Sequence, residues 1–189
     1  MNVVIAIVVV VVVGFTLLRL ATRGQKIANP RLGLLDLTEG KSEGIVAEDR
    51  AALADLFSAV EASTDVVPKC DVLFLYATLG EAGALIGTDR YLRATIRESR
   101  AKIVVVASEN PDPKPSKPGP GDARANLVIT LQRNGDKFPR FIRELFTRMK
   151  KGQTMPMAWV KIVPQGPSPK HDDCPGTIFL MEAGPLRLG

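Results

Sequence analysis

Histidine occurs once in this chain, at His171, and cysteine only twice, at Cys70 and Cys174. So few soft ligands, so far apart, argue against a structural zinc site and against a secreted disulfide framework. No metal is expected, and both thiols are read as free in a reducing compartment. Aromatic residues make up 5% of the chain and do not alternate with basic ones along any strand pattern, which argues against nucleic acid as a partner. A phosphate loop is missing as well. The stretch Gly80-Glu81-Ala82-Gly83 lacks the Lys-Ser/Thr of a nucleotide loop and the spacing of a dinucleotide fingerprint, so no cofactor is expected.

What the chain does contain is a long apolar run. From Val3 to Leu18 no residue is charged, and only Gly14 and Thr16 interrupt the apolar side chains. Carried through Ala21, the run reaches about 19 residues, which at about 1.5 Å per residue spans close to 30 Å of hydrocarbon. Valine and isoleucine are weak helix formers in water. A bilayer offers the backbone no other partner, so a single spanning segment must be helical. The start Met1-Asn2 has no charged n-region, and the exit has no small-residue cleavage site, so a retained anchor is expected. Arg19, Arg23, Lys26 and Arg31 follow the run and none precedes it, which puts the C-terminal side in the cytoplasm. The expected organisation is therefore a single-pass cell-membrane protein. Residues 1–26 form the anchor and its basic flank, and residues 27–189 form one cytoplasmic domain. The formal charge of +5 is largely accounted for by Arg19, Arg23 and Lys26.

The period of the apolar residues changes several times along the soluble part. Leu32-Gly33-Leu34-Leu35-Asp36-Leu37-Thr38 predicts a buried strand. Over residues 47–63, Leu53, Leu56, Phe57 and Val60 recur at helical spacing, with Glu48, Asp49, Arg50, Asp55 and Glu61 on the other faces. Strands are predicted at 72–77, 103–108 and 127–131, and helices at 89–99 and from Phe138 to the stop at Gly152. The proline-rich stretch 110–121 is a loop, because its prolines lack amide donors. The runs 157–163 and 177–183 are rich in β-branched residues and read as strands, as in an edge hairpin. Alternating strands and helices imply an α/β three-layer sandwich with a mainly parallel sheet, preceded by one transmembrane helix.

Ligand sites in such sheets form beyond the carboxyl ends of the strands. By position the candidates are Asp36 and Thr38, Thr78 and Glu81, Ser108, Glu109 and Asn110, and Gln132, Arg133 and Asn134. Asp36, Thr38, Ser108 and Asn110 are the candidate ligand-binding residues. Thr78, Glu81, Glu109, His171 and Cys174 are the candidate catalytic ones. His171-Asp172-Asp173-Cys174 holds the only histidine, but a Cys-His dyad needs two separate rigid supports and this pair shares one loop. A turn formed by the Asp pair before Pro175-Gly176 is the better account of it. Basic residues cluster at Arg90, Arg93, Arg97 and Arg100, and at Arg140, Arg143, Arg148, Lys150 and Lys151. They read as solvated helix faces or as docking sites for a protein partner or anionic lipid.

From Cys70 onward the order of elements resembles the caspase-like α/β domains, the bacterial CHAT peptidase group especially. The matching segments are 73–78, 89–99, 103–108, 138–152, 155–165 and 177–182. In that alignment Tyr76-Ala77-Thr78 occupies the position of a Ser-Ala-Cys-type motif. Thr78 then stands where the nucleophilic cysteine belongs, and no histidine lies upstream, which implies that protease activity is absent. Toll/interleukin receptor-like and nucleoside-transferase-like domains share the strand, acidic loop, helix, strand order, with Glu81 or Glu109 as the carboxylate. The expectation is a membrane-anchored, non-enzymatic binding or signalling module with a caspase-like domain. The alternative is a hydrolase or transferase that uses strand-end carboxylates or the His171/Cys174 loop.

Overall fold

The computed structural model describes residues 24–110, 124–163 and 175–189. The anchor expected at 3–21, most of the proline-rich stretch 110–121, and the loop holding His171 and Cys174 lie outside the described residues. Among the described residues no helix is long and apolar enough to cross a membrane. In chain order the elements are β1 (Gln25–Ile27), β2 (Arg31–Asp36), α1 (Glu43–Leu53), β3 (Ala59–Ser63), β4 (Val72–Tyr76), α2 (Leu92–Ser99), β5 (Ile103–Val106), β6 (Asn126–Gln132), α3 (Lys137–Lys150), α4 (Met155–Ile162), β7 (Gly176–Leu180) and β8 (Leu186–Leu188).

The continuous apolar runs form the centre of the sheet. Every residue of β4 and β5 is buried, as parallel strands covered on both faces require. The main sheet has the order β3-β2-β4-β5-β6-β7, and within it only β7 runs antiparallel to its neighbour. Alternate side chains feed two cores. On one face Leu34, Phe74, Tyr76 and Val105 pack against α1, α3 and α4; on the other, Leu73, Leu75 and Val104 pack against Leu92 and Ile96 of α2. The crossover from β2 to β3 by α1 and that from β4 to β5 by α2 proceed in opposite directions along the sheet and lie on opposite faces, so they share one hand. The fold is α/β with a mainly parallel mixed sheet, as the alternating pattern predicts.

Four local expectations are corrected. The helix predicted over 47–63 ends at Leu53, passes through a 3₁₀ turn, and gives way to β3. Ser58 breaks it by donating from its amide to Pro30 O (2.9 Å) and from its hydroxyl to Asn29 O (2.8 Å), which joins this segment to the start of β2. Val60 then contacts the core as a strand residue, its neighbours facing solvent, so a helical spacing was satisfied by a turn and an edge strand. Asp49, expected on an outer face of that helix, is fully buried. The run 157–163, expected as a strand, belongs to helix α4. Pro156 sits in its first turn, where a missing amide does no harm, and Trp159 packs edge-on to Phe141 at 5.3 Å and against Phe179 at 5.0 Å. Core packing there outweighs the strand preference of its β-branched residues. The run 177–183 does form a strand, β7, but it pairs with β6 rather than with 157–163.

A second, two-stranded parallel sheet joins β1 to β8. Asn126, fully buried at the start of β6, secures the turn before β8. Its side-chain amide donates to Gly184 O (2.9 Å), and its carbonyl accepts from the Glu182 and Ala183 amides (3.1 and 2.9 Å). Gly24 leads into β1 with φ +60°, and a Cβ there would lie 2.6 Å from Pro185 O. Only glycine allows both that conformation and that approach.

Cys70 lies under β2, where a Cβ on residue 33 would come within 2.7 Å of its sulfur, so Gly33 makes its room. Burial pushes the Cys70 thiol from 9.0 up to about 12. An unfolded thiol ionises above about pH 9 while the folded one stays neutral, so the unfolded chain releases the proton first and stability declines as pH rises from about 9 toward 12. Urea unfolding across that window should show wild type losing up to about 1.4 kcal/mol per pH unit more than Cys70→Ala. Parallel pH profiles for the two proteins would refute the assignment.

Candidate functional site

The strand order reverses between β2 and β4: the chain leaves the C-terminal end of β2 toward one face and that of β4 toward the other. The connections part there and leave a crevice. A cleft of about 730 Å³ occupies this place, with Leu37, Thr38 and Ser42 on one side, Thr78 and Ile86 on another, and Ser108, Glu109 and Arg133 at its base and rim. Five of the residues predicted from strand-end position, Thr38, Thr78, Ser108, Glu109 and Arg133, therefore meet in one cleft.

The base is held by an ion pair. Arg133 and Asp49 meet in bidentate geometry, Nη2 to Oδ1 at 2.8 Å and Nη1 to Oδ2 at 3.1 Å, with side chains 6% and 0% exposed. Nη1 also donates to Ala107 O (2.9 Å), and the guanidinium lies 4.2 Å above the Phe138 ring. The Tyr76 hydroxyl donates to Asp49 Oδ2 at 2.9 Å. Burial, and then the Asp49 charge, push the Tyr76 hydroxyl far above its ordinary value, so it remains the donor of that bond. One carboxylate thus receives three hydrogen bonds, and one guanidinium ties together α1, β5, α3 and the end of β6. A register shift between Thr130 and Gln132 re-aims the end of β6, after which Asn134 (φ 55°) and Gly135 (φ 63°) make the left-handed turn into α3.

The remaining predicted residues divide by role. Asp36 is buried and accepts from the Thr38 amide (2.9 Å) and hydroxyl (2.6 Å), while Thr38 Oγ1 accepts from the Ser42 amide at 3.0 Å. These bonds shape the entry to α1. Asp36 lines a separate hollow between α1 and β3 rather than the cleft. Asn110 is 4% exposed and joins three strand ends: its Oδ1 accepts from Leu79 N (2.7 Å), its side-chain amide donates to Ser108 O (2.8 Å), and its backbone amide donates to Thr130 O (2.8 Å). It is structural. Glu109 Oε1 accepts from the Arg133 amide at 2.8 Å while keeping its carboxylate at the exposed rim. Thr78 is exposed in the cleft, and the Ser108 hydroxyl is buried there without a hydrogen-bond partner among the described residues. Glu81 is exposed on a 3₁₀ turn and does not line the cleft. His171 and Cys174 lie outside the described residues.

No protein-family model, curated protein or solved structure matches the chain. The cleft must therefore be judged on its own chemistry. Among the described residues no group of three or more His, Cys, Asp or Glu is placed to hold a metal ion. Glu39, Glu48 and Glu109 contribute three carboxylates to its lining, against Lys41 and an Arg133 already matched by Asp49. The rim is net acidic, the walls carry the hydroxyls of Thr38, Thr78 and Ser108, and Leu37, Ile45 and Ile86 supply apolar surface. Such a lining suits a ligand with a cationic or hydrogen-bond-donating head on a short apolar stem.

Asp49, Tyr76, Glu39, Lys41, Ser42 and Glu48 are site residues that sequence reading missed. A signal for Asp49 existed: it stands four residues after Ile45 and four before Leu53, both packed in the core, and so shares their helix face. Removing one member of this pair leaves a buried charge unmatched, at about 3–5 kcal/mol, whereas removing both leaves none. Chemical denaturation should find Arg133→Met and Asp49→Leu each severely destabilised and the double variant closer to wild type than either. Strictly additive losses would show that the pair is not coupled.

Proposed function

We propose that the chain is a membrane-anchored, non-enzymatic binding or signalling module whose caspase-like domain receives a basic partner segment in the strand-end cleft. The observation that carries this reading is the state of the cleft's polar groups. Arg133, Asp49, Tyr76, Asp36 and Asn110 are all engaged in bonds that hold the walls together, Glu109 accepts from the Arg133 amide, and the carboxylates of Glu39 and Glu48 are left to face the opening. A preformed acidic rim over rigid walls recognises a lysine or arginine side chain without having to be ordered first. The caspase-like component rests on the order of segments 73–78, 89–99, 103–108, 138–152, 155–165 and 177–182 in the sequence, through which the chain resembles that group. The anchored component is supported by the uncharged run 3–18 and the basic residues behind it.

A second reading is favoured by one detail. Ser108 Oγ is buried in the same cleft as Thr78 and Glu109 with no hydrogen bond to occupy it among the described residues, an arrangement that a hydrolase or transferase could use. The two readings separate experimentally. The full chain in nanodiscs, titrated with a lysine- and arginine-containing peptide mixture, should bind, and Glu39→Gln combined with Glu48→Gln should weaken binding at least about tenfold, each lost charge contact being worth roughly 1 kcal/mol. Turnover of peptide, ester or nucleotide substrates that vanishes with Thr78→Ala or Ser108→Ala would instead establish the enzyme.

A further inference from the structure

One oxygen of Asp36 is left over from the bonds that shape the entry to α1. The side chain is 7% exposed at the end of β2, and the donors that reach it, the Thr38 amide and hydroxyl, both end on Oδ1. Oδ2 accepts no hydrogen bond among the described residues, yet it is not sealed from solvent. It is the oxygen left to face the hollow of about 810 Å³ between α1 and β3, which Asp36 lines. No cation pairs with Asp36 among the described residues; Arg50 lines the same hollow but is exposed and forms no ion pair there. A carboxylate held this far from water is ordinarily matched by a cation and bonded at both oxygens. Asp49, the other buried carboxylate of this region, meets both conditions through Arg133 and Tyr76. Asp36 meets neither.

Small side chains make the space in front of that oxygen. β3 packs Val60 against the core, but two residues on, on the same face, it carries Ala62; α1 and the turn after it contribute Ala47, Ala51 and Ala54. The rim adds Glu43 and Asp65, both exposed, and Asp65 uses only Oδ1 to accept from the Val66 amide (2.8 Å) and the Ser63 hydroxyl (3.2 Å). Three carboxylates therefore stand against one guanidinium, over an alanine floor, which favours a cation with an aliphatic stem. Oδ2 calls for an N–H donor, and no aromatic ring lines the hollow to receive a quaternary ammonium. A bare metal ion is a poor fit, because among the described residues no three such groups are placed to hold one. We propose that the hollow binds a short aliphatic diamine: one ammonium donates to Asp36 Oδ2, the methylene stem lies over the alanines, and the second ammonium meets Glu43 and Asp65 at the rim. The site is independent of the strand-end cleft, since α1 presents Ser42, Ile45 and Glu48 to the cleft and its opposite flank to the hollow.

The test titrates the full chain, in phosphatidylcholine nanodiscs, with 1,4-diaminobutane and follows the heat of binding. The diamine should saturate a single site, and n-butylamine, which lacks the second ammonium, should bind at least about fivefold more weakly. Asp36→Asn keeps an oxygen for the two Thr38 donors, and with it the entry to α1, but should weaken diamine binding at least about tenfold, because a charge-assisted bond becomes a neutral one. Ala51→Leu replaces an exposed helix residue by another good helix former and should weaken binding by filling the hollow. Circular dichroism of both variants should match wild type. No saturable binding, equal affinity for n-butylamine, or binding that neither variant changes would overturn the proposal. Binding lost with Glu39→Gln and Glu48→Gln but kept with Asp36→Asn would place the amine in the strand-end cleft, overturning the hollow site and leaving the reading of the cleft intact. An acetylated lysine amide that binds more tightly than the diamine, and only while Asp36 is present, would overturn the free diamine in favour of a lysine side chain.

Discussion

The guanidinium of Arg133, enclosed at the end of β6, is the group around which the strand-end face is organised. A charge this far from water is tolerated only where a carboxylate meets it in matched geometry and its remaining hydrogens find acceptors. Asp49 supplies the first condition and Ala107 O contributes to the second, with Phe138 packed beneath the cation. Satisfying Arg133 therefore dictates where α1 lies over the sheet, how β5 ends and where α3 begins. The cleft is what remains between these elements once that geometry is met.

The central sheet was legible because Val72-Leu73-Phe74-Leu75-Tyr76 and Ile103-Val104-Val105-Val106 have no other way to be buried than as covered parallel strands. Helix α3 was equally legible, since Phe138, Phe141, Ile142, Leu145, Phe146 and Met149 make a stripe that only a 3.6-residue period unites. Errors arose where local pattern and tertiary packing disagree. Met155–Ile162 carries β-branched residues but is decided by Pro156 and by aromatic contacts with Phe141 and Phe179 that lie outside its own window. The edge strand β3 has only Val60 against the core, too little apolar alternation to register. The three-residue strands β1 and β8 are shorter than any period can reveal.

The site was half legible for a related reason. Strand ends mark a place, so Thr38, Thr78, Ser108, Glu109 and Arg133 could be named from order alone. What each residue does there depends on partners distant in sequence: Asn110 and Asp36, which look like ligands, shape loops, while Asp49, which looks like surface, neutralises the base of the cleft across 84 residues. The two poles of the sheet consequently differ in character. One bears acidic groups over a hydroxyl-lined recess, and the other bears basic groups beside the point where the N-terminal segment joins the domain.

The pairing of β1 with β8 has a consequence for how the domain is assembled. Gln25 and Leu186 are partners about 160 residues apart, so their contact closes one of the largest loops the described chain contains, and loop closure grows less favourable with length. The main sheet, built from nearer neighbours, can form while this seam is open. Until the seam closes, Ile27, Leu186 and Leu188 lack their burial. Closure is thus a late step, the one that completes the core on that side of the sheet.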